Sequence, residues 1–175
     1  LAVEPATEFK VDRFTELQLQ AIAAEVGIGL RSRGERVALA ESCTGGLIAK
    51  LFTDAAGSSA WFERGIVSYS NEAKQELLGV DAQTLKIHGA VSAAVVLEMA
   101  QGLLKRAPVD WTLAVSGIAG PDGGTADKPV GTVWLAFAGR SIAASASRLQ
   151  LAGDRDEIRR ASASAALIGL RHLLG

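Results

Sequence analysis

The sequence predicts a single α/β domain, on three observations. Short apolar runs alternate along the chain with longer segments whose apolar residues recur at helical spacing. Polar, Gly-rich segments fall where the apolar runs end, as at Glu41-Ser42-Cys43-Thr44-Gly45-Gly46. At 175 residues, without an internal repeat or a splitting linker, the chain is the size of one domain with a sizeable core.

Residues 1–12 mix Pro, Thr and charges without period and read as a tail or linker, which leaves 13–175 as the domain. From Arg13 to Arg33, Phe14, Leu17, Ile22, Val26 and Leu30 follow helical spacing, and Gly34 is a fitting stop. Val37 to Ala40 predicts a strand, and Gly45 to about Asp54 a helix burying Leu47, Ile48, Leu51 and Phe52. Gly65 to Tyr69 predicts another strand, then Ser70-Asn71 as an N-cap for a short helix that ends at Gly79. Ser92 caps a long helix to Arg106, and Trp111 to Ser116 is a strand. A Gly-, Asp- and Pro-rich loop from Gly117 to Pro129 precedes two strands, Gly131 to Ala138 and Ile142 to Leu151, turned at Gly139-Arg140. Asp154 caps a final helix with Ile158, Ala161, Ala165, Leu167, Ile168 and Leu173 toward the core.

Composition excludes several functions. With 18 basic against 19 acidic residues, the chain is not built for electrostatic capture of nucleic acid or an anionic membrane. No apolar run approaches the ~20 residues of a membrane helix. The lone Cys43 cannot form an internal disulfide, which favours a reducing cytoplasm, and two distant histidines, His88 and His172, offer no zinc spacing. Any hydrolysis is therefore expected to need neither a zinc site nor a His base. Residue 1 is Leu and Met99 is the sole methionine, which predicts a processed or trimmed chain, or one cut from a longer protein.

Three polar segments stand at predicted C-terminal strand ends, the edge where open α/β sheets bind ligands. At the first, a helix start at Thr44, Gly45 and Gly46 offers backbone donors for a phosphate or oxyanion beside the Ser42 hydroxyl; alternatively Ser42 or Thr44 is simply a helix N-cap. At the second, Lys74 on a first helical turn, near Tyr69 and Asn71, can point back to the same edge. A partly buried, neutral Lys deprotonates a serine, with Tyr69 relaying the proton or holding the Lys; a solvated Lys and a half-buried Tyr are the plainer alternative. The third, from Ser116 and Gly117 to Thr132, has the Gly content of a binding loop but matches no dinucleotide or Walker A pattern. Arg155 and Arg159 share a helical face that suits a phosphate, or merely supports the helix. Cys43 and the three tryptophans read as packing, although Trp61 is also able to stack on a flat ring. His88 reads as a loop or capping residue.

Taken in order, the motifs Ala40-Glu41-Ser42-Cys43-Thr44-Gly45-Gly46, Tyr69-Ser70-Asn71 with Lys74, Gly89-Ala90-Val91-Ser92, Ser116-Gly117-Ile118-Ala119-Gly120-Pro121, Lys128-Pro129-Val130-Gly131-Thr132 and Gly153-Asp154-Arg155 resemble the C-terminal domain family of competence-damage-inducible protein A (CinA). The likeness spans roughly residues 14–174. It implies a three-layer α/β/α sandwich around a mixed, mostly parallel sheet. It also implies amidase activity that converts nicotinamide mononucleotide to nicotinate mononucleotide and ammonia, in pyridine nucleotide recycling. The resemblance makes Ser42 the nucleophile, Lys74 its base and Tyr69 an assisting hydroxyl, with no metal or other cofactor. Ser116, where some relatives carry Thr, Gly117 and Arg155 become substrate-binding elements, Arg155 toward the 5′-phosphate. Some relatives join this domain to an N-terminal one, and some lack detectable amidase activity. A nucleotide-binding module without turnover and an amidase for another small carboxamide therefore stand beside the enzyme reading. A homo-oligomer is a further expectation.

Overall fold

The computed structural model of the protein describes residues 14–175. The predicted tail, and Arg13, lie outside the described residues. Helix α1 (Glu16–Arg33) begins at Thr15, whose hydroxyl accepts from the Gln18 N–H in a capping box, and ends at Gly34 in the left-handed region. Strand β1 (Val37–Glu41), helix α2 (Leu47–Thr53), a 3₁₀ turn at Ser58–Ala60 and strand β2 (Phe62–Val67) follow. Next come α3 (Asn71–Leu78), α4 (Ala82–His88), α5 (Ala93–Arg106) and β3 (Trp111–Gly117). The chain closes with β4 (Thr132–Gly139), β5 (Ile142–Gln150) and α6 (Arg155–Leu174).

The sheet order is β2-β1-β3-β4-β5. β1 runs parallel to β2 and β3, while β4 is antiparallel to both its neighbours, so β4 alone opposes the common direction. The sheet is thus mixed and mostly parallel, as the resemblance implied. Side-chain alternation divides it into two unlike faces. Val37, Leu39, Leu113, Val115, Leu135 and Phe137 pack with α1, α2 and α6. Ala38, Ala40, Ala114, Ala136 and Ala138 line the other face, where small side chains let α5 lie close to the sheet. Three layers result. No helix of the described residues is long and apolar enough to cross a membrane.

Two elements differ from expectation. β2 starts three residues earlier and ends before Tyr69, because it is an edge strand whose side chains are half exposed and lack a strong apolar period. Helix α4 was not anticipated: seven residues with only Leu85 buried carry too little periodicity to read. It makes His88 the last residue of a helix rather than a loop residue.

From β1 the chain crosses by α2 to β2 on one side, then returns by α3, α4 and α5 to β3 on the other. The reversal opens a crevice at the carboxyl ends of β1 and β3. The pocket of interest lies there.

Candidate active site

Strand β1 ends on two consecutive residues with opposite fates. Glu41 is buried and turns toward α2, where its carboxylate accepts from the N–H groups of Gly46 (3.0 Å), Ile48 (3.2 Å) and Ala49 (2.8 Å). It caps α2 from the preceding strand, since the N-cap residue Gly46 has no side chain to do so. Ser42, whose N–H donates to Val115 O (3.0 Å), lies on the pocket wall between β1 and β3. Neither Ser42 nor Thr44 is therefore an N-cap, and the Thr44 hydroxyl is buried without a partner.

Lys74 comes from the second strand end. Ser70 caps α3 by accepting from the Ala73 N–H (3.0 Å), which turns Lys74 inward one turn later. The side chain is 1% exposed. Its Nζ donates to Ser42 Oγ (3.1 Å), Ser68 O (2.7 Å) and Tyr69 O (3.3 Å). Burial pulls its pKa below the ordinary lysine value, and among the described residues no carboxylate is hydrogen-bonded to it. The plainer alternative, a solvated Lys, does not hold. Cys43 next door is unfit as a nucleophile: burial pushes its thiol up to about 12.

The remaining predicted residues are placed unevenly. Tyr69 is 62% exposed at the pocket rim, and its hydroxyl accepts from Arg155 Nη2 (3.0 Å). Its carbonyl, not its hydroxyl, holds Lys74. Arg155, at the start of α6, also donates from Nη1 to Gly120 O (2.6 Å), so it ties the Ser116 loop to Tyr69. Ser116 and Gly117 line the pocket, with Ser116 Oγ donating to Ala90 O (2.9 Å). A side chain at Gly117 would stand 2.7 Å from Val133 and 3.1 Å from the Cys43 sulfur, which explains the glycine. Asn71 is exposed at the start of α3 and is not on the pocket wall.

Thr44, Gly45 and Gly46 require a correction. They lie behind the wall rather than on it. The Gly45 N–H donates to Ser42 O (3.0 Å) and the Gly46 N–H to Glu41, so two of the three expected oxyanion donors are committed elsewhere. The Thr44 N–H is turned to the Cys43 sulfur. Trp61, 2% exposed and edge-on to Phe52 at 4.9 Å, is core and not a stacking surface for a ligand.

Two participants escaped sequence reading or were underread. Glu41 reaches across from strand to helix, and only its place just before a Gly-Gly helix start hints at this. Arg159, read beside Arg155 as one of a pair, donates to the carbonyls of Cys43 (3.3 Å) and Thr44 (2.8 Å) and braces the turn that carries Ser42. The resulting pocket has a volume of about 270 Å³ and joins hydroxyl, amine and guanidinium groups in one cleft. Among the described residues no cluster of His, Cys, Asp and Glu is arranged to hold a metal ion.

A three-layer domain with Ser and Lys bonded at the sheet's switch point defines a class that comparison with known proteins makes specific. Residues 19–174 match the family model described as the CinA C-terminal domain, and the chain belongs to that family. It is 54% identical over 153 residues to the nicotinamide-nucleotide amidohydrolase PncC of Escherichia coli strain K12, covering 87% of this chain and 93% of that protein. A CinA-like protein of Geobacter sulfurreducens is 56% identical over 144 residues, which are 82% of this chain but 35% of that longer protein. The crystal structure of the competence/damage inducible protein CihA from Agrobacterium tumefaciens superposes with a TM-score of 0.87 at 44% identity, covering 89% of this chain and 94% of that one.

Proposed function

We propose that the protein is a nicotinamide-nucleotide amidase that converts nicotinamide mononucleotide to nicotinate mononucleotide and ammonia through a Ser42 acyl-enzyme. The observation that carries this reading is the 3.1 Å hydrogen bond between the buried Lys74 amine and the Ser42 hydroxyl. The name carried by the E. coli relative supports the substrate class.

Neutral Lys74 takes the hydroxyl proton as Ser42 Oγ bonds to the carboxamide carbon, giving a tetrahedral oxyanion and an ammonium side chain. The Ser68 and Tyr69 carbonyls already face the Lys74 amine, so the charge that forms there meets placed acceptors. Collapse of the intermediate breaks the C–N bond, and Lys74 returns the proton to the departing ammonia. A water then attacks the nicotinoyl ester, giving up a proton to Lys74, which passes it to Ser42 as the acid leaves. Arg155 has five N–H groups; two are used on Gly120 and Tyr69, and its place on the cleft wall suits the guanidinium to the 5′-phosphate. The reaction is metal-free, and the single buried thiol suits a reducing cytoplasm.

Ammonia release from nicotinamide mononucleotide by the wild type, Ser42→Ala and Lys74→Ala tests the reading. Wild-type turnover that falls by roughly 10³ or more in both variants is expected. Turnover surviving Ser42→Ala sinks the acyl-enzyme, and none in a folded wild type moves the reading to a binding module or another carboxamide.

A further inference from the structure

The loop between β3 and β4 is the longest stretch of the described residues outside helix and strand. Only its first half touches the cleft, through Ile118, Ala119, Gly120, Asp122 and Gly123. The second half closes a turn of its own: the Thr125 N–H donates to Lys128 O (2.9 Å), and the Lys128 N–H to Thr125 Oγ1 (3.1 Å). Arg148 of β5 fastens this turn to the sheet, its Nη2 donating to Asp127 O (3.3 Å). Lys128 thus starts from a fixed point. Its Nζ donates to His88 O (2.6 Å), 40 positions back along the chain.

His88 is the last residue of α4, where helix carbonyls are left without an N–H and a cationic side chain is a fitting donor. The chain then turns through Gly89, Ala90 and Val91 into α5. Gly89 has a φ of 71°, in the left-handed region, and a Cβ there would stand 3.4 Å from Lys128 Nζ. A side chain at this position would be strained and would crowd the amine. Ala90 and Val91 are half-buried and form part of the cleft wall. Among the described residues, two side chains from other elements hold this turn: Ser116 Oγ on Ala90 O (2.9 Å) and Lys128 Nζ on His88 O. Lys128 is not itself on the wall. It lines a neighbouring hollow that shares only Val91 with the cleft.

We propose that Lys128 is a positioning residue for the substrate, tying the loop after β3 to the α4–α5 turn and so setting the gap between the apolar walls that take the pyridine ring. Granted the amidase reading, on which this rests, the ring is bonded directly to the carbon that Ser42 attacks. It must therefore lie among the cleft residues next to Ser42, where Ala90, Val91, Ile118 and Ala119 offer apolar surface. Lys128 acts on that surface through the turn. Contacts running from Arg148 through Asp127 and Lys128 to His88 refer the wall to the rigid sheet. The Ser42–Lys74 pair has separate supports in the carbonyls of Val115, Ser68 and Tyr69, so loss of the Lys128 bond leaves the reacting groups in place.

Lys128→Met keeps the aliphatic stem and removes the donor. KM for nicotinamide mononucleotide should rise roughly tenfold, the scale of one bond from a charged donor, while kcat holds, the pattern of lost uniform binding. In a Ser42→Ala background, which leaves ligands intact, Lys128→Met should weaken nicotinamide mononucleotide and nicotinamide riboside by the same factor. Exchange of the Gly89 amide hydrogen, bonded to Leu85 O (2.9 Å), should quicken in Lys128→Met. That exchange needs no turnover. A folded but inactive wild type therefore sinks the amidase reading, while the rate at Gly89 still decides whether Lys128 holds the turn. Unchanged Gly89 exchange or unchanged KM overturns the proposal, as does a fall in kcat that matches or exceeds the rise in KM. A loss confined to the mononucleotide overturns it too, because the amine would then be holding the phosphate directly.

Discussion

Lys74 is the residue on which both chemistry and stability turn. The base function we propose for it requires the neutral amine, and burial lowers its pKa from the ordinary 10.5. The kcat/KM profile should therefore rise with pH through a titration on the acid side of 10.5, and an activity that climbs only at ordinary lysine pH would refute a buried base. The same shift sets a stability signature. Between the lowered pKa and 10.5 the unfolded chain binds a proton that the folded chain does not, so stability rises with pH across that window. Below the folded pKa the penalty is complete. Lys74→Met removes the titration, so its stability relative to wild type should shrink steadily as pH climbs toward 10.5, with turnover lost by roughly 10³ or more throughout. Parallel melting temperatures of the two proteins across pH would show that the amine is not held in its neutral form by the fold.

At the scale of elements, α2 shows how a helix start can be spent on structure instead of catalysis. Its three inward N–H groups converge on one carboxylate that the strand before it supplies. Glu41→Gln puts an amide donor against one of those donors and should cost about 2 kcal/mol, the scale of a buried charge-assisted bond left unmade. With a urea slope of about 2 kcal/mol/M, the unfolding midpoint drops about 1 M. An unchanged midpoint would mean that the contact is not what secures α2. The same contact explains what was legible in the sequence. Elements with local signals were readable: Ser70, Ser92 and Asp154 each cap a helix through a bond three residues along. Ser42, Lys74 and the Ser116 loop were readable because strand ends carry their own Gly and polar punctuation. Glu41's reach to α2, Tyr69's hydroxyl on Arg155 and Arg159's hold on Cys43 and Thr44 depend on how elements pack, with 86 positions separating Tyr69 from Arg155. Local propensity does not encode such distances.

For the whole molecule, the pocket exists only when separate stretches of chain are brought to one end of the sheet: the β1 end, the β2 end with α3, the turn before α5, the β3 loop and the start of α6. Occupying it must therefore favour the entire fold over the unfolded chain. Ser42→Ala keeps the walls and removes the nucleophile, so nicotinamide mononucleotide remains bound and intact. At 100 times its dissociation constant it should add about 2.7 kcal/mol to unfolding, which for a chain of this size raises the melting temperature by about 5–11 °C. Adding Arg155→Met to that variant removes the guanidinium that bridges Gly120 and Tyr69 and that we propose binds the phosphate, so most of the shift should vanish. A shift equally large for nicotinamide riboside, which lacks the phosphate, would sink the role given to Arg155 while leaving the Ser42–Lys74 chemistry intact. Without any shift for the mononucleotide in Ser42→Ala, the cleft does not hold this substrate, and the amide reading falls with it.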